Sequence, residues 1–161
     1  METRSRRARQ APRVVAPLEA HLGFWLRFVS NHVSLRFRQL LEQEDVTVTD
    51  WVALRTLWAQ QGSGHAGLIQ ALGMTKGAAS KVVSRLEGRG LVQRVPVEGR
   101  AREQAVTLTA SGKALVPRLA ALADANDDHF FGHLPAVERR ALMNAMEALV
   151  EHHQLKDIPT E

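Results

Sequence analysis

Hydroxyl, glycine and basic side chains recur at helical spacing between residues 75 and 85, and such side chains can contact DNA. Short hydroxyls and glycine let a helix enter a major groove, where Lys and Arg bind phosphates or guanine edges. Ala79, Val83 and Leu86 lie at i, i+4 and i+7 of the same run, which predicts one buried stripe. We therefore expect a helix from Lys76 to about Arg89 whose polar face meets DNA. The candidate contact residues in this run are Thr75, Lys76, Gly77, Ser80, Lys81, Ser84 and Arg85.

A shorter apolar stripe precedes this helix and predicts a helix–turn–helix arrangement. Leu68, Ile69 and Leu72 fit one short helix, and Gly73 breaks it. Thr75 is suited to cap the second helix, because its hydroxyl can accept a bond from an otherwise unpaired backbone N–H.

The segment after Gly90 has strand character, and Gly90 itself is suited to end the helix. Residues 92–96 and 103–108 are predicted to form two strands, joined by a wing tip, Val97 to Arg102, that carries Arg100 and Arg102. Between Lys76 and Arg102 there are seven Lys/Arg and two Glu, a formal net charge of +5 against +4 for the whole chain. Because the positive charge is concentrated there, we expect this surface to face phosphates.

Two runs carry a resemblance to the MarR (multiple antibiotic resistance regulator) family of winged helix-turn-helix transcription factors. They are LGMTKGAASKVVSRLEGRGLVQR and the pattern RxxxVxLTxxG from Arg102 to Gly112. The resemblance extends from about His21 to His153 and implies a mostly α-helical fold with a small β-wing. It also implies a homodimer that binds a pseudo-palindromic operator in double-stranded DNA, represses transcription and is released by a small aromatic or phenolic ligand. Wings of this family usually carry an Asp two residues before the wing arginine, where this chain has Arg100 before Arg102.

The flanking segments predict the rest of the architecture. Residues 1–16 hold five Arg and one acid and are expected to form a flexible basic arm. An amphipathic pattern from Leu18 to about Glu44 predicts one long helix, and Thr47 or Thr49 is expected to cap a further helix that ends at Gly62 to Gly64. Thr109 is expected to cap a long helix that either bends at Pro117 or is disturbed in its first two turns, and Pro135 to start the last helix at its first position.

These elements group into four predicted regions. They are the basic arm (1–16), a first dimerisation helix (17–46), a winged helix-turn-helix DNA-binding domain (47–109) and C-terminal dimerisation helices (110–161).

Composition narrows the function class. A hydrophobic content of 45% over 161 residues is enough for a packed core, and the chain lacks the run of about 18 apolar residues that a membrane helix needs. We expect no membrane partner and a cytoplasmic location. The absence of cysteine excludes disulfides and thiol redox sensing. No catalytic motif is evident, so we expect neither an enzyme nor a cofactor.

Aromatic and cationic residues on the first two long helices predict a ligand site. Trp25, Phe28 and His32, together with Trp51 and Arg55, combine aromatic surface with polar groups that suit an aromatic carboxylate. The resemblance implies a ligand at that junction, whereas a plain core role for both tryptophans is the alternative from the residues themselves.

Two other functions remain open at this point. A winged-helix module that docks another protein would share the fold but would not need the basic surface. A metal-responsive regulator could use His129 and His133, which lie four residues apart, although two ligands do not make a zinc site.

Overall fold

The computed structural model describes residues 15–60, 63–97 and 100–155, and within them it leaves undescribed the side chains of residues 63–66 and 100–103. The described residues form a mostly helical fold with a small wing, as predicted. A 3-10 turn at Leu18–Ala20 precedes α1 (Leu22–Glu42), α2 (Val48–Gln60), β1 (Ser63–Gly64), α3 (His65–Leu72), α4 (Lys76–Gly88), β2 (Val92–Val97), β3 (Arg100–Leu108), α5 (Ala110–Phe131) and α6 (Ala136–His152). The predicted basic arm lies outside the described residues up to residue 14. No described helix has both the length and the hydropathy needed to cross a membrane.

The chain divides into two compact units, residues 1–32 and residues 33–161. In the first unit, the prediction of one continuous helix from Leu18 was wrong. His21 is extended, with φ −106° and ψ 126°, so the 3-10 turn ends there and α1 begins at Leu22. The indole Nε1 of Trp25 donates to the carbonyl of Glu19 at 2.8 Å, which compensates one carbonyl next to the break.

The core of the second unit surrounds α2, which packs against α3, α4, α5 and β3. Apolar side chains from every neighbouring element bury against it, because each helix carries one apolar stripe. The fully buried members include Leu41, Leu54, Leu57, Leu68, Val83, Leu86, Val106, Val116 and Leu119. Thr47, not Thr49, caps α2, since its Oγ1 accepts the backbone N–H of Asp50 at 3.1 Å.

The wing belongs to an antiparallel sheet of order β1-β3-β2. The prediction of the two wing strands is confirmed, but the sheet adds β1, which pairs Ser63 with Val106. A two-residue strand leaves no alternation in the sequence, so this segment was predicted only as the end of the preceding helix. Pairing of β2 with β3 also continues beyond the predicted strands, through a register shift between Pro96 and Val97. The backbone of Arg100 and Arg102 therefore lies in β3 and not in the connecting tip, which corrects the predicted strand bounds.

The C-terminal helices follow the predicted caps with one shift of position. Thr109 caps α5, as predicted, by accepting the backbone N–H of Gly112. The helix is continuous from Ala110 to Phe131 across Pro117, and the bend predicted there stays a prediction. Pro135 is the N-cap of α6 and not its first residue, so the helix starts one position later than predicted.

The start of α5 is locked to the end of the helix-turn-helix segment. The backbone N–H of Thr109 donates to the carbonyl of Leu91 at 3.1 Å, and its hydroxyl donates to the carbonyl of Gly90 at 2.6 Å. A Cβ on Gly112 would lie 2.0 Å from the same Leu91 carbonyl oxygen. Only glycine therefore allows α5 to approach the turn this closely.

We predict that replacing Gly112 with Ala lowers the free energy of unfolding by about 1–3 kcal/mol, because backbone must move to admit the methyl group. Urea denaturation followed by circular dichroism measures this change. Gly77→Ala is the matched control, since nothing lies within 4 Å of the point that its Cβ would occupy. Equal stability of the Gly112→Ala variant and the parent protein would contradict the proposed close packing.

Candidate nucleic-acid interface

Helix α4 presents a polar face opposite its buried stripe. Thr75 caps the helix as predicted, with its Oγ1 accepting the backbone N–H of Ala78 at 3.3 Å. The predicted stripe of Ala79, Val83 and Leu86 is buried, joined by Val82. Because these four side chains share one side of the helix, the helical period turns the residues at 77, 81, 84 and 88 to the opposite side.

The predicted contact residues on α4 are exposed, with one exception. Ser80 is half-buried, since it lies at the border between the buried stripe and the polar face. Among the described residues, neither Lys76 nor Lys81 has a carboxylate within salt-bridge distance. These two ammonium groups are therefore available to phosphates. The exposed members are Thr75, Lys76, Gly77, Lys81, Ser84 and Arg85.

Arg85 points its guanidinium at a neighbouring helix. Its Nη2 and Nε donate to Oδ1 of Asp50, at 2.6 and 3.2 Å. Asp50 is only 1% exposed and lies in the first turn of α2. The structure thus brings Arg85 together with a buried carboxylate that was not among the predicted site residues. The sequence feature that could have marked Asp50 is its position three residues after Thr47, which is the spacing of a capping box.

Arg94 on β2 links the wing to α4. Its Nη1 pairs with Oε2 of Glu87, its backbone N–H donates to Oε1 of Glu87 at 3.3 Å, and its Nη2 donates to the hydroxyl of Ser84 at 3.0 Å. The sequence pattern marked Arg94 only as part of the basic segment. The sequence feature that could have indicated this pair is the opposite charge of Glu87 and Arg94, which lie seven residues apart on either side of the Gly90 turn. Arg89 is the C-cap of α4, so Gly90, which was predicted in that place, lies one position later; its φ of 69° and its N–H bond to the Glu87 carbonyl form the turn that makes this return possible.

The wing arginines predicted to meet DNA are Arg100 and Arg102. Their backbone lies in β3, and their side chains lie outside the described residues. Their contact with DNA stays a prediction.

The predicted ligand residues fall in both units. In the first unit, the ring of Phe28 stacks on Phe24, with centroids 6.0 Å apart, and lies 4.6 Å from the ring of His32. The side chain of Trp25 is 48% exposed. These residues form a partly exposed aromatic cluster and not a buried core.

In the second unit, Trp51 and Arg55 line an open surface cleft of about 430 Å³ on α2, and Ala71 of α3 also lines it. The indole of Trp51 also meets the ring of Phe37 edge-on, with centroids 6.1 Å apart. Trp51 is thus partly buried against the core, as the alternative expected, and it also lines this surface cleft. The use of these residues by a ligand stays a prediction.

The histidines considered for a metal lie near the end of α5. The ring of His129 meets Phe130 edge-on at 4.9 Å, and His133 is exposed. Within residues 15–60, 63–97 and 100–155, no three His, Cys, Asp or Glu side chains are grouped as a metal site would require. The described geometry gives the metal-responsive alternative no support.

Comparison with known proteins finds one family. The family model described as "MarR family" matches residues 46–103. Among curated relatives, an HTH-type transcriptional repressor of Mycobacterium bovis is 30% identical over 131 residues, covering 81% of this chain and 94% of that protein. The transcriptional regulator HosA of Escherichia coli is 27% identical over 129 residues, covering 74% of this chain and 96% of HosA. These relatives are named as regulators of transcription, in agreement with the expected non-enzymatic role.

Solved structures share the fold. A structure of BpsR from Bordetella bronchiseptica, whose DNA binding is described as regulated by 6-hydroxynicotinic acid, superposes with a TM-score of 0.71. The two sequences are 24% identical, and the match covers 84% of this chain and 97% of that one.

We predict that Gly77→Ala stabilises the free protein by about 0.5–1 kcal/mol, since a helical Gly costs conformational entropy and its Cβ position is open. The same methyl group should weaken DNA binding, because it thickens the face of α4 that approaches the bases. Thermal unfolding and a duplex-binding titration test the two effects separately.

Gly88→Ala is the matched control for the binding effect. Its Cβ position is equally open, but it lies at the far end of α4, whereas recognition helices contact bases mainly through their N-terminal residues. Equal losses of affinity in both variants would argue against entry of α4 into the groove by its N-terminal end.

Proposed function

Since this chain belongs to the MarR family of transcriptional regulators, we propose that it represses transcription by binding a pseudo-palindromic operator as a homodimer. The single observation that carries the proposal is the face of α4 around Gly77, Lys81 and Ser84, which is exposed and opposite the buried stripe. A cation, a hydroxyl and a glycine on one helical face are suited to enter a major groove. Repression is the activity in the name of the mycobacterial relative and is carried over from it.

The proposed partner subunit is a second copy of the chain. Helix α6 has no buried residue, although its apolar side chains recur at helical spacing. Solvent-exposed apolar surface of this extent favours a protein partner, and regulators of this family typically act as dimers. The exposed apolar residues of α6 are Val137, Leu142, Met143, Met146, Leu149 and Val150.

The two-fold symmetry of the proposed dimer then sets the distance between its two copies of α4. Each α4 would enter a major groove, and the two copies would contact half-sites about 34 Å apart, one turn of the duplex. The wings, with Arg100 and Arg102 near their tips, would reach the backbone or minor groove at either side. Access to the chromosome makes the cytoplasm the proposed location.

The proposed effector is a small aromatic or phenolic acid. Within the second unit, the Trp51 indole and the Arg55 guanidinium at one cleft supply an aromatic surface and a cation, which suit such a ligand. The exposed cluster of Trp25, Phe28 and His32 in the first unit offers further aromatic surface. Regulation of BpsR by 6-hydroxynicotinic acid supports this ligand class. A ligand that prefers a different spacing of the two α4 helices would weaken DNA binding by about 1–3 kcal/mol.

Selection from a randomised duplex pool, at low and at physiological salt, tests the proposed function. We expect recovery of an inverted repeat whose half-sites are about one helical turn apart, because the dimer places its recognition helices at that spacing. Recovery of no motif, together with binding that disappears as salt rises, would mean that the basic surface attracts DNA without reading it. In that case the alternative of a protein-interaction module would replace the proposal.

We predict that Arg102→Ala weakens binding to operator and unrelated duplexes by a similar factor, since we assign the wing arginine to a phosphate. The slope of log affinity against log salt should fall by about 0.9 for each lost phosphate contact in a subunit. Arg38→Ala is the control, because Arg38 is an exposed cation on α1 that pairs with Glu42 outside the proposed interface. A loss confined to one base position would instead make Arg102 a base reader.

A further inference from the structure

Asp50, in the first turn of α2, is a buried acidic residue that the proposed function has not used. Its side chain is 1% exposed, and Asp50 and Asn126 are the buried polar residues of the described chain. An ionised carboxylate that is removed from water requires hydrogen bonds or a counter-charge to remain stable. The groups that bind the Asp50 carboxylate therefore indicate the role of its charge.

One part of its bonding is local to α2. The Asp50 backbone N–H donates to Oγ1 of Thr47, and Oδ2 of Asp50 accepts the backbone N–H of Thr47, both at 3.1 Å. This reciprocal pair is a capping box, with Asp in the place usually taken by Glu or Gln. An uncharged Asn at this position could provide the same two bonds, so capping alone does not require a carboxylate.

The remaining contacts of Asp50 are with arginines at the C-terminal end of α4, the proposed recognition helix. Oδ1 of Asp50 accepts both Nη2 and Nε of Arg85, and Nη1 of Arg89 lies 3.9 Å from Oδ2. Arg89 also lies 3.5 Å from the carboxylate of Asp45 in the corner between α1 and α2. Two donors from one planar guanidinium fix direction as well as distance, in a way that a single contact does not.

Arg85 lies in the last turn of α4, on the same rigid rod as the exposed face of Gly77, Lys81 and Ser84. Successive side chains of a helix are about 100° apart around its axis. Rotation of α4 about its own axis therefore changes which side chains face the bases. At its other side, α4 is tied through Ser84 and Glu87 to Arg94 of the wing. The Asp50–Arg85 pair thus supplies the tie between α4 and α2 that complements the tie between α4 and the wing.

We propose that Asp50 is a specificity-determining positioning residue, which fixes the pose of the recognition helix through Arg85, and that Arg85 serves as this tie and not as a phosphate contact. This inference rests on the proposed sequence-specific DNA binding. It changes the role of one residue in the predicted interface. It also adds to the function a residue that does not contact DNA.

The chemistry of the pair supports this assignment over a role for Arg85 in binding phosphate. A phosphate contact would require Arg85 to give up both hydrogen bonds to Oδ1 of Asp50, which would leave Arg89, 3.9 Å from Oδ2, as the remaining cation beside this buried charge. Kept together, the two charges cancel. Lys81, one turn earlier on α4 and without a carboxylate partner among the described residues, can bind phosphate without that penalty.

The test measures affinity for the selected operator and for an unrelated duplex, each over a range of salt, in the full-length dimer. In Asp50→Asn the capping bonds can persist while the charge that holds Arg85 is gone. We expect operator affinity to fall by about 5- to 150-fold, the effect of one mismatched base pair in a site. Affinity for the unrelated duplex should stay equal or rise, with a salt slope steeper by up to about 0.9 per subunit, because Arg85 is released to phosphates.

Arg85→Lys is the second variant, and it covers a failure of Asp50→Asn to fold. It keeps the positive charge but loses the two-donor geometry, so operator affinity should fall while affinity for the unrelated duplex is kept. Lys81→Ala is the matched control on the same helix, and its loss should extend to both duplexes with a shallower salt slope. A simple loss of folded protein would lower both affinities by the same factor and leave their ratio unchanged.

The outcomes separate the two proposals. If the parent protein prefers no duplex, the proposed function fails, and this inference fails with it. If the parent protein has an operator, and Asp50→Asn and Arg85→Lys keep the helical circular dichroism of the parent but leave the ratio of the two affinities unchanged, only the positioning role is overturned. A shallower salt slope in Asp50→Asn would likewise overturn it.

Discussion

The architecture depends on the close approach of α5 to the turn between α4 and β2. The Leu91 carbonyl accepts the backbone N–H of Thr109, and Gly112 leaves space for that oxygen where any side chain would collide with it. This junction brings together Gly90 after the end of α4, Leu91 before the start of β2 and Thr109 after the end of β3. The base of the wing is closed by this contact, and in the sheet β3 lies between β1 and β2. A movement of α5 would therefore displace both the end of α4 and the base of the wing.

Three polar contacts then fix α4 within this frame. Thr75 caps the N-terminal end of α4, and two contacts hold its C-terminal half: Arg94 of the wing binds Ser84 and Glu87, and Asp50 of α2 binds Arg85. The buried stripe holds the helix to the core but permits small rotations, because apolar contacts are not directional. Hydrogen-bonded ion pairs have a defined direction, so they restrict the rotation of α4 in a way that the apolar stripe does not.

The same contacts change how the charge of the interface should be counted. Seven basic residues lie between Lys76 and Arg102, but Arg85, Arg89 and Arg94 face carboxylates on Asp50, Asp45 and Glu87. Of these acids, Asp45 and Asp50 come from the segment around the start of α2, far away in sequence. Lys76 and Lys81 are the described α4 cations that remain open to phosphates. Among the described basic residues of this segment, those in the N-terminal half of α4 therefore lack carboxylate partners, whereas Arg85, Arg89 and Arg94 have them.

Local sequence patterns were sufficient to predict the elements that depend only on residues close together in the sequence. The stripe of Ala79, Val83 and Leu86, the caps at Thr75 and Thr109, and the turn at Gly90 depend on residues within a few positions of each other, and the structure agrees with all of them. The start of α1 was missed because the apolar pattern continues through His21, whereas the break depends on the backbone of that residue and on a bond from Trp25 to the Glu19 carbonyl. Strand β1 was missed because two residues carry no periodicity and pair only with a strand some forty positions later. The partner of Arg85 could not be read from the sequence either, since Asp50 lies 35 residues away, and only the packing of α2 against α4 brings its carboxylate to that guanidinium.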